Sequence, residues 1–245
     1  MSEESNQAFM EHLVELRERL IKAAYCILAG TVLAWNFSEQ IFDILRRPIM
    51  PYLPQGGLVF TGPMDKFMAH IKISLMAGVL ISSPLWLWQL WKFVAPGLYS
   101  KEKKYAGGFI FSGTFLFAVG VSFAYFIVFP TAFKFLMTFG GDVDKPLITI
   151  DHYLSFVATT SIAFGVAFEL PLIMVILGMM GVVSQAFLKA NRRYAILILA
   201  VVSAILTPPD LMSMLMMLVP MLLLYELSVF LVGLVERKAH EALQT

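Results

Sequence analysis

The chain has 245 residues, of which 59% are hydrophobic and only 14% are charged. Soluble domains are about half apolar and a quarter charged, so this composition predicts a protein that lies in a membrane. The 18 Lys and Arg residues nearly balance the 17 Asp and Glu residues, and this argues against a basic nucleic-acid binder. The single cysteine, Cys26, cannot form an intrachain disulfide bond.

Residues 1–20 are predicted to form a cytoplasmic amphipathic segment that belongs to the mature protein. The segment is acidic, whereas a secretory signal begins with basic residues. Its apolar face recurs at helical spacing through Phe9, Leu13, Leu16 and Leu20. A second face carries Glu11, Glu15 and Glu18, although like charges at this spacing repel by about 0.2–0.5 kcal/mol. Arg19 and Lys22, each four residues after a glutamate, offset part of this repulsion.

Six apolar segments are predicted to span the bilayer, because a spanning helix needs about 20 mostly apolar residues. They are 21–37, 73–91, 105–129, 153–180, 194–206 and 211–235. The last two flank the turn Thr207-Pro208-Pro209-Asp210 and are predicted to be short helices of a hairpin. The expected fold is therefore an all-α integral membrane protein with one polytopic domain over 1–245. Its six-helix bundle covers 21–235, and 236–245 form a cytoplasmic tail.

The loop charges predict the orientation of the chain. Twelve of the 18 basic residues fall on one side of the predicted spans, and five fall on the other. The richer side holds the N-terminus, 92–104, 181–193 and the C-terminal tail. By the positive-inside rule both termini are cytoplasmic, and an even number of spans agrees with this. The largest external loop, 38–66, is expected to form short helices or a cap on the outer face.

The sequence shows no constellation of residues typical of an enzyme. Its histidines, which fall at span edges or in tails, are His12, His70, His152 and His240. No phosphate-binding loop, metalloprotease motif or serine-hydrolase motif is present. We therefore predict a protein without catalytic residues, cofactor or metal, whose energy comes from a partner or from the membrane potential.

Two acidic residues fall inside predicted spans. Glu169 has no basic residue near it in sequence, and burying its charge in lipid would cost at least about 2.5 kcal/mol. It is expected to face the bundle or water, or to be protonated, and Pro171 is expected to bend the helix beside it. Glu226 is interpreted as an interfacial acid near the inner end of the last span.

Carboxylates at the cytoplasmic surface suggest a site for arginine. Glu102 lies among three lysines in the loop after the second span, and it could simply neutralise that loop. Together with the acidic face of the N-terminal segment, however, it could bind a guanidinium group by bidentate hydrogen bonds, which lysine cannot copy. Phe93 at the same surface could pack against an apolar side chain beside such an arginine. The sequence leaves open whether Glu11 and Glu18 share this task.

Several motifs in one order resemble a known family. His12-Leu13-Val14-Glu15-Leu16-Arg17-Glu18-Arg19-Leu20 resembles the H-L-x-E-L-R-x-R-L opening of the TatC family, the polytopic subunits of the twin-arginine protein translocase. The similarity continues through the loop from Gln89 to Tyr99, the stretch from Phe164 to Pro171, and the turn from Leu206 to Asp210. It covers nearly the whole chain.

The resemblance implies a function and a set of site residues. It implies a bacterial inner-membrane receptor that binds the twin-arginine signal peptides of folded cargo and exports this cargo with TatA- and TatB-type single-span partners. The proton-motive force drives export, and the chain forms a homo-oligomer within a larger complex. The implied signal-binding residues are Glu15, Arg17, Arg19, Phe93 and Glu102. Residues implied in structure or translocation are Pro48, Tyr125, Glu169 and Asp210. Residues implied in partner docking are Leu206, Thr207 and Met214, where some relatives have glutamine in place of Met214.

Three alternatives remain open from the residues alone. A proton-coupled transporter of a small solute would use Glu169, but it would be expected to show internal repeats, which the sequence lacks. An intramembrane enzyme is disfavoured by the missing catalytic residues. A purely structural scaffold would tolerate the substitution Glu169→Gln.

Overall fold

The computed structural model describes residues 3–53, 57–95, 106–138, 147–207 and 211–244, and side chains from 10 to 237 within these ranges. The described part is helical, with a short 3-10 helix at Met50–Tyr52 and a π-helical turn at Ala124–Val128. Its α-helices are α1 (Glu3–Trp35), α2 (Ser38–Arg46), α3 (Asp65–Ile81), α4 (Ser83–Val94), α5 (Ala106–Phe123), α6 (Phe129–Thr138), α7 (Ile150–Phe168), α8 (Leu170–Met179), α9 (Gln185–Ala190), α10 (Arg192–Leu206) and α11 (Leu211–Gln244).

Two breaks bend the chain sharply. Helices α1 and α2 meet at 85°, and α3 and α4 meet at 58°. The second break falls at Ser82, two residues before Pro84, whose ring cannot continue the hydrogen-bond ladder of α3. Helix α2 lies nearly perpendicular to α1 and is one of the short helices predicted for the loop 38–66. We call it the cap helix, and its place on the outer face stays a prediction.

Three helical stretches of the described residues are long and apolar enough to cross a membrane. They are Ala106–Thr138, Ile150–Met179 and Leu211–Arg237, and the number rises to five if each bent pair counts as one span. The remaining segment, α10, has only 15 residues, about 22 Å of helix. The all-helical fold and its apolar helices agree with the sequence, whereas six spans and cytoplasmic termini stay predictions.

The prediction of two short final helices is wrong for the last one. Helix α10 is short, but α11 continues for 34 residues from Leu211 to Gln244. Pro220 lies inside α11 without ending it. Proline is tolerated in membrane helices because neighbouring helices and side chains can satisfy the freed backbone groups.

The predicted N-terminal segment and first span form one helix. Helix α1 runs without interruption from Glu3 through the proposed boundary at residue 20 to Trp35. It packs along α3 and α4. The closest approach pairs Gly30 and Thr31 with Gly78, where a Cβ added to Gly78 would lie 2.5 Å from the Thr31 nitrogen. Glycine at this crossing lets the two backbones meet, as small residues do in membrane bundles.

The cap helix α2 is fastened to the bundle by two tyrosines. The Tyr125 hydroxyl, on the π-helical turn, donates to the Ile44 carbonyl at 2.8 Å, and Tyr153 on α7 donates to the Leu45 carbonyl. Both carbonyls belong to the last turn of α2, and the Ile44 carbonyl also accepts from the backbone N–H of Arg47 at 3.2 Å. The same side of the molecule holds an ion pair between Lys72 and Asp151.

Candidate functional site

Two regions that the sequence predicts at the cytoplasmic surface, the start of α1 and the end of α4, meet at His12 and Phe93. The two rings, on α1 and at the end of α4, stack with centroids 4.4 Å apart and an interplanar angle of 24°. Glu15 lies one helical turn after His12 on the same face of α1. The structure therefore brings the two predicted regions into one surface, and their role in binding stays a prediction.

Within this surface Glu15 is paired with Arg19. An Arg19 Nη lies 3.2 Å from a carboxylate oxygen of Glu15, and both side chains are half-buried. The Arg19 Nε is buried and has no hydrogen-bond partner among the described residues. A second guanidinium could therefore compete for Glu15 only by sharing the carboxylate with Arg19 or displacing it.

The acidic face of α1 divides between two environments. Glu15 turns towards the bundle, whereas Glu18 is exposed and pairs with Lys22 at 2.5 Å. The predicted apolar face of α1 is not covered by other parts of the described chain at Leu13, which is 42% exposed, or at Leu20, which is 50% exposed. Arg17 is exposed. Glu102 and Asp210 lie outside the described residues.

An apolar pocket of about 340 Å³ leads inward from Phe93. Its wall includes Trp86 and Trp91 of α4, Phe109 of α5 and Ile176 of α8. Glu169 supplies the single ionisable side chain of the described wall. The pocket therefore joins the stacked aromatic surface to the intramembrane acid, two features that the sequence located separately.

Glu169 lies at the break between α7 and α8. Pro171 follows in the first turn of α8, so the helix is interrupted where the sequence predicted a bend. The side chain is only 6% exposed, and neither carboxylate oxygen has a hydrogen-bond partner among the residues described. Such an unpaired group can receive a hydrogen bond from a polar group that enters the pocket.

Gly113 of α5 faces the Glu169 carboxylate. A Cβ added to Gly113 would lie 3.3 Å from Oε2 of Glu169 and 3.1 Å from Cδ2 of Leu172. Sequence reasoning missed both Gly113 and His12 as parts of this region. Gly113 carries no chemical group to mark it, and the His12 contact depends on a helix far away in the chain.

Glu226 is held in an ion pair, and its predicted place at the membrane interface stays a prediction. Its carboxylate accepts a hydrogen bond from the Arg192 guanidinium at 2.7 Å, and both side chains are about half exposed. This ion pair joins α11 to the start of α10. Glu226 is therefore satisfied, whereas Glu169 is not.

The residues expected to dock partners lie around the hairpin of α10 and α11. Leu206 ends α10, and the Thr207 hydroxyl donates to the Ser203 carbonyl at 2.8 Å. Met214 is half-buried in the first turn of α11.

Pro48 is half-buried just after α2, close in sequence to the Ile44 and Leu45 carbonyls that accept from the two tyrosines. In the described part of the chain, no three His, Cys, Asp or Glu residues are arranged to hold a metal ion.

Comparison with known proteins identifies the family. Residues 11–220 match the model for TatC, the Sec-independent protein translocase protein. The chain is 42% identical over 228 residues to a protein of that name from Desulforapulum autotrophicum, covering 93% of this chain and 84% of the relative. It is 41% identical to the Aquifex aeolicus protein of that name, covering 94% and 97% of the two chains.

Two solved structures share the fold. A crystal structure described as the twin arginine translocase receptor TatC superposes with a TM-score of 0.79 at 40% identity, covering 90% of this chain and 97% of the other. A second, of TatC in DDM, gives a TM-score of 0.81 at 40% identity, covering 91% and 99%. Neither comparison supports a transporter of small solutes. With its several apolar helices, the chain belongs to the TatC family of Sec-independent protein translocase proteins, which are multi-pass components of the bacterial inner membrane and not a family of catalysts.

Proposed function

We propose that this chain is the receptor for twin-arginine signal peptides on folded cargo. The signal-binding surface consists of Glu15, Arg17, Arg19 and Phe93, and Glu102, outside the described residues, completes it. A related structure is described as a twin arginine translocase receptor. The chemistry at this surface suits the same ligand, because a carboxylate binds a guanidinium with two parallel hydrogen bonds.

The observation that carries the proposal is the pocket between Phe93 and Glu169. Phe93, whose ring stacks on His12, lines this pocket, and the rest of its described wall apart from Glu169 is apolar. A signal peptide has an apolar stretch after its charged start, so its arginines can stay at the surface while this stretch enters the pocket. A polar group on the inserted segment then meets the unpaired oxygens of Glu169.

The energetics favour arginine over lysine at Glu15. Each charge-assisted hydrogen bond contributes about 1.5–3 kcal/mol, and lysine loses the bidentate geometry. Arg19 holds Glu15 half-buried and oriented before the peptide arrives. The incoming guanidinium either displaces Arg19 from Glu15 or shares the carboxylate with it. Binding therefore does not have to order a free Glu15 side chain.

Transport itself requires partners and an energy source. We propose that TatA- and TatB-type single-span proteins dock at Leu206, Thr207 and Met214 and that the proton-motive force drives the step. Copies of the chain assemble into a homo-oligomer within the larger complex. Pro48, Tyr125 and Asp210 act in structure or translocation, and the hydrogen bond from Tyr125 to Ile44 fixes the cap on the outer side.

Photocrosslinking of a twin-arginine peptide tests the proposal directly. A crosslinker placed next to the arginine pair is expected to label residues around His12 and Phe93 of the purified complex. Glu15→Gln should reduce labelling several-fold. Glu18→Gln is the matched control, because it removes the same charge from the same helix at an exposed position. Equal labelling in both variants, or labelling that a lysine-pair peptide reproduces, would contradict the assignment.

A further inference from the structure

A second apolar groove borders α7 and α8. Its volume is about 950 Å³, and α7, α8, α9, α10 and α11 all contribute to its wall. Between Phe187 on α9 and Ile198 on α10 the wall is apolar apart from Asn191 and Tyr194. Phe187, Tyr194 and Ile198 are each more than half exposed, so this part of the groove is open to the surroundings. We call this part the α9–α10 groove.

The Arg193 guanidinium brings positive charge to one end of the α9–α10 groove, where Tyr194 lines the wall. The Arg193 guanidinium lies 4.7 Å from the centre of the Tyr194 ring and donates to its hydroxyl at 3.0 Å. Lys189 is exposed on α9. No carboxylate of the described residues pairs with Arg193 or Lys189, whereas neighbouring Arg192 is paired with Glu226.

The polar groups at this end are arranged to receive an anion. The Tyr194 hydroxyl accepts from Arg193, so its own proton remains available for donation. Arg193 has further N–H groups, which suit a phosphate oxygen. Ile176 of α8 lines the Phe93 pocket, so α9, which follows α8, lies on the same membrane surface as Phe93.

We propose that the α9–α10 groove binds one anionic phospholipid. The headgroup phosphate is held by Arg193 and the Tyr194 hydroxyl, with Lys189 adding positive charge. An acyl chain lies along the groove between Phe187 and Ile198. Basic residues next to a cleft between membrane helices are a recognised arrangement for anionic headgroups, and the apolar wall matches a hydrocarbon chain.

This lipid site is separate from the proposed receptor function. The partner-docking residue Leu206 lines the far end of the same cavity, at the opposite end of α10 from Arg193. The proposed headgroup site and the docking residue therefore lie at opposite ends of α10. Failure of lipid binding would leave the signal-binding proposal untouched, and the reverse also holds.

Lipid retention by the purified full-length chain tests the site. The protein is exchanged into detergent with equal amounts of phosphatidylglycerol and phosphatidylcholine, and retained lipid is measured by native mass spectrometry. We expect preferential retention of one phosphatidylglycerol, reduced about five-fold by Arg193→Gln, since one cation near an anionic headgroup contributes about 1 kcal/mol. Lys92→Gln is the matched control, with the same loss of charge at the Phe93 surface and outside the groove.

A groove-filling variant separates headgroup binding from acyl-chain binding. Ala195→Phe places a ring in the groove and should lower retention of phosphatidylglycerol even though Arg193 is unchanged. A photocrosslinker at Ile198 should label phospholipid in membranes. Equal retention of both lipids, equal effects of Arg193→Gln and Lys92→Gln, or labelling of a protein helix at Ile198 in place of lipid would each overturn the proposal.

Discussion

At Glu169 a carboxylate is held away from solvent, and neither of its oxygens has a hydrogen-bond partner among the described residues. A buried polar group without a partner costs about 1–3 kcal/mol of stability. The pocket beside it is apolar, so no wall residue offsets this cost. A protein can keep such a destabilising group when the group acts in the ligand-bound state and not in the stability of the unliganded fold.

Replacing Glu169 should separate stability from transport. Glu169→Leu is expected to stabilise the protein by up to about 1–3 kcal/mol, because it removes an unsatisfied group and keeps a similar volume. The same variant should abolish export of a folded reporter that carries a twin-arginine signal. Thermal unfolding in detergent and export in cells lacking their own receptor measure the two effects.

The opposite result would indicate a purely structural acid. If Glu169→Leu lowers the unfolding temperature and leaves export intact, the carboxylate has a partner in the resting protein and no role in transport. Glu226→Leu serves as the comparison, because it breaks an exposed ion pair that is expected to contribute about 0–1 kcal/mol.

Tyr125 is expected to stabilise the cap by one hydrogen bond. Tyr125→Phe removes the donor to the Ile44 carbonyl and should cost about 0.5–1.5 kcal/mol in thermal unfolding. Tyr25→Phe is the matched control, because Tyr25 is 67% exposed on α1. Equal unfolding temperatures for the two variants would show that the bond contributes nothing to the cap.

At the scale of helices, the crossing of α1 and α3 depends on Gly78. Gly78→Ala places a methyl group against the backbone of Thr31, which cannot rotate away. We expect a loss of about 1–3 kcal/mol, as for other overpacked sites. Gly107→Ala on α5 meets nothing within 4 Å and should be neutral or slightly stabilising, because alanine favours helix.

Thermal unfolding of both glycine variants decides whether this crossing is rigid. A Gly78→Ala protein as stable as Gly107→Ala would mean that α1 can move away from α3 without loss. Helix α1 carries Glu15, so such movement would also loosen the signal-binding surface. The two measurements therefore bear on how firmly this surface is pre-organised.

Helix breaks were more predictable from the sequence than helix faces. Pro171 marked the interruption after Glu169, and the prolines of the loop 38–66 marked a region of short helices. Proline acts locally, through its own ring and missing donor, so its effect can be read from a few residues. Pro220 is the exception, because its surroundings in α11 allow the helix to continue.

For the whole molecule, the sequence named candidate site residues, but it could not give their arrangement. Glu15 and Phe93 were each expected at the cytoplasmic surface, but the ring contact through His12 follows from packing of distant helices. The apolar pattern placed Leu13 and Leu20 on one face of α1 without telling what this face meets, and both side chains are exposed. In a membrane protein an apolar face can point to lipid, so periodicity alone does not tell which face meets the bundle.

The molecule thus connects a charged surface to a buried acid through one apolar pocket. Glu15 and Arg19 form the ion pair at the surface, and Phe93 and Glu169 both line the pocket. A signal peptide that carries paired arginines and then an apolar stretch matches this order of features. In the proposed receptor, the Glu15 carboxylate recognises the arginine pair.

Peptide affinities test whether Glu15 recognises the arginine pair. Dissociation constants are measured for an arginine-arginine and a lysine-arginine signal peptide, on the unaltered complex and on Glu15→Gln. We expect the unaltered complex to bind the arginine-arginine peptide about ten-fold or more tightly than the lysine-arginine peptide, equivalent to at least about 1.4 kcal/mol. This preference should largely disappear in Glu15→Gln. An undiminished preference in Glu15→Gln would contradict recognition by Glu15.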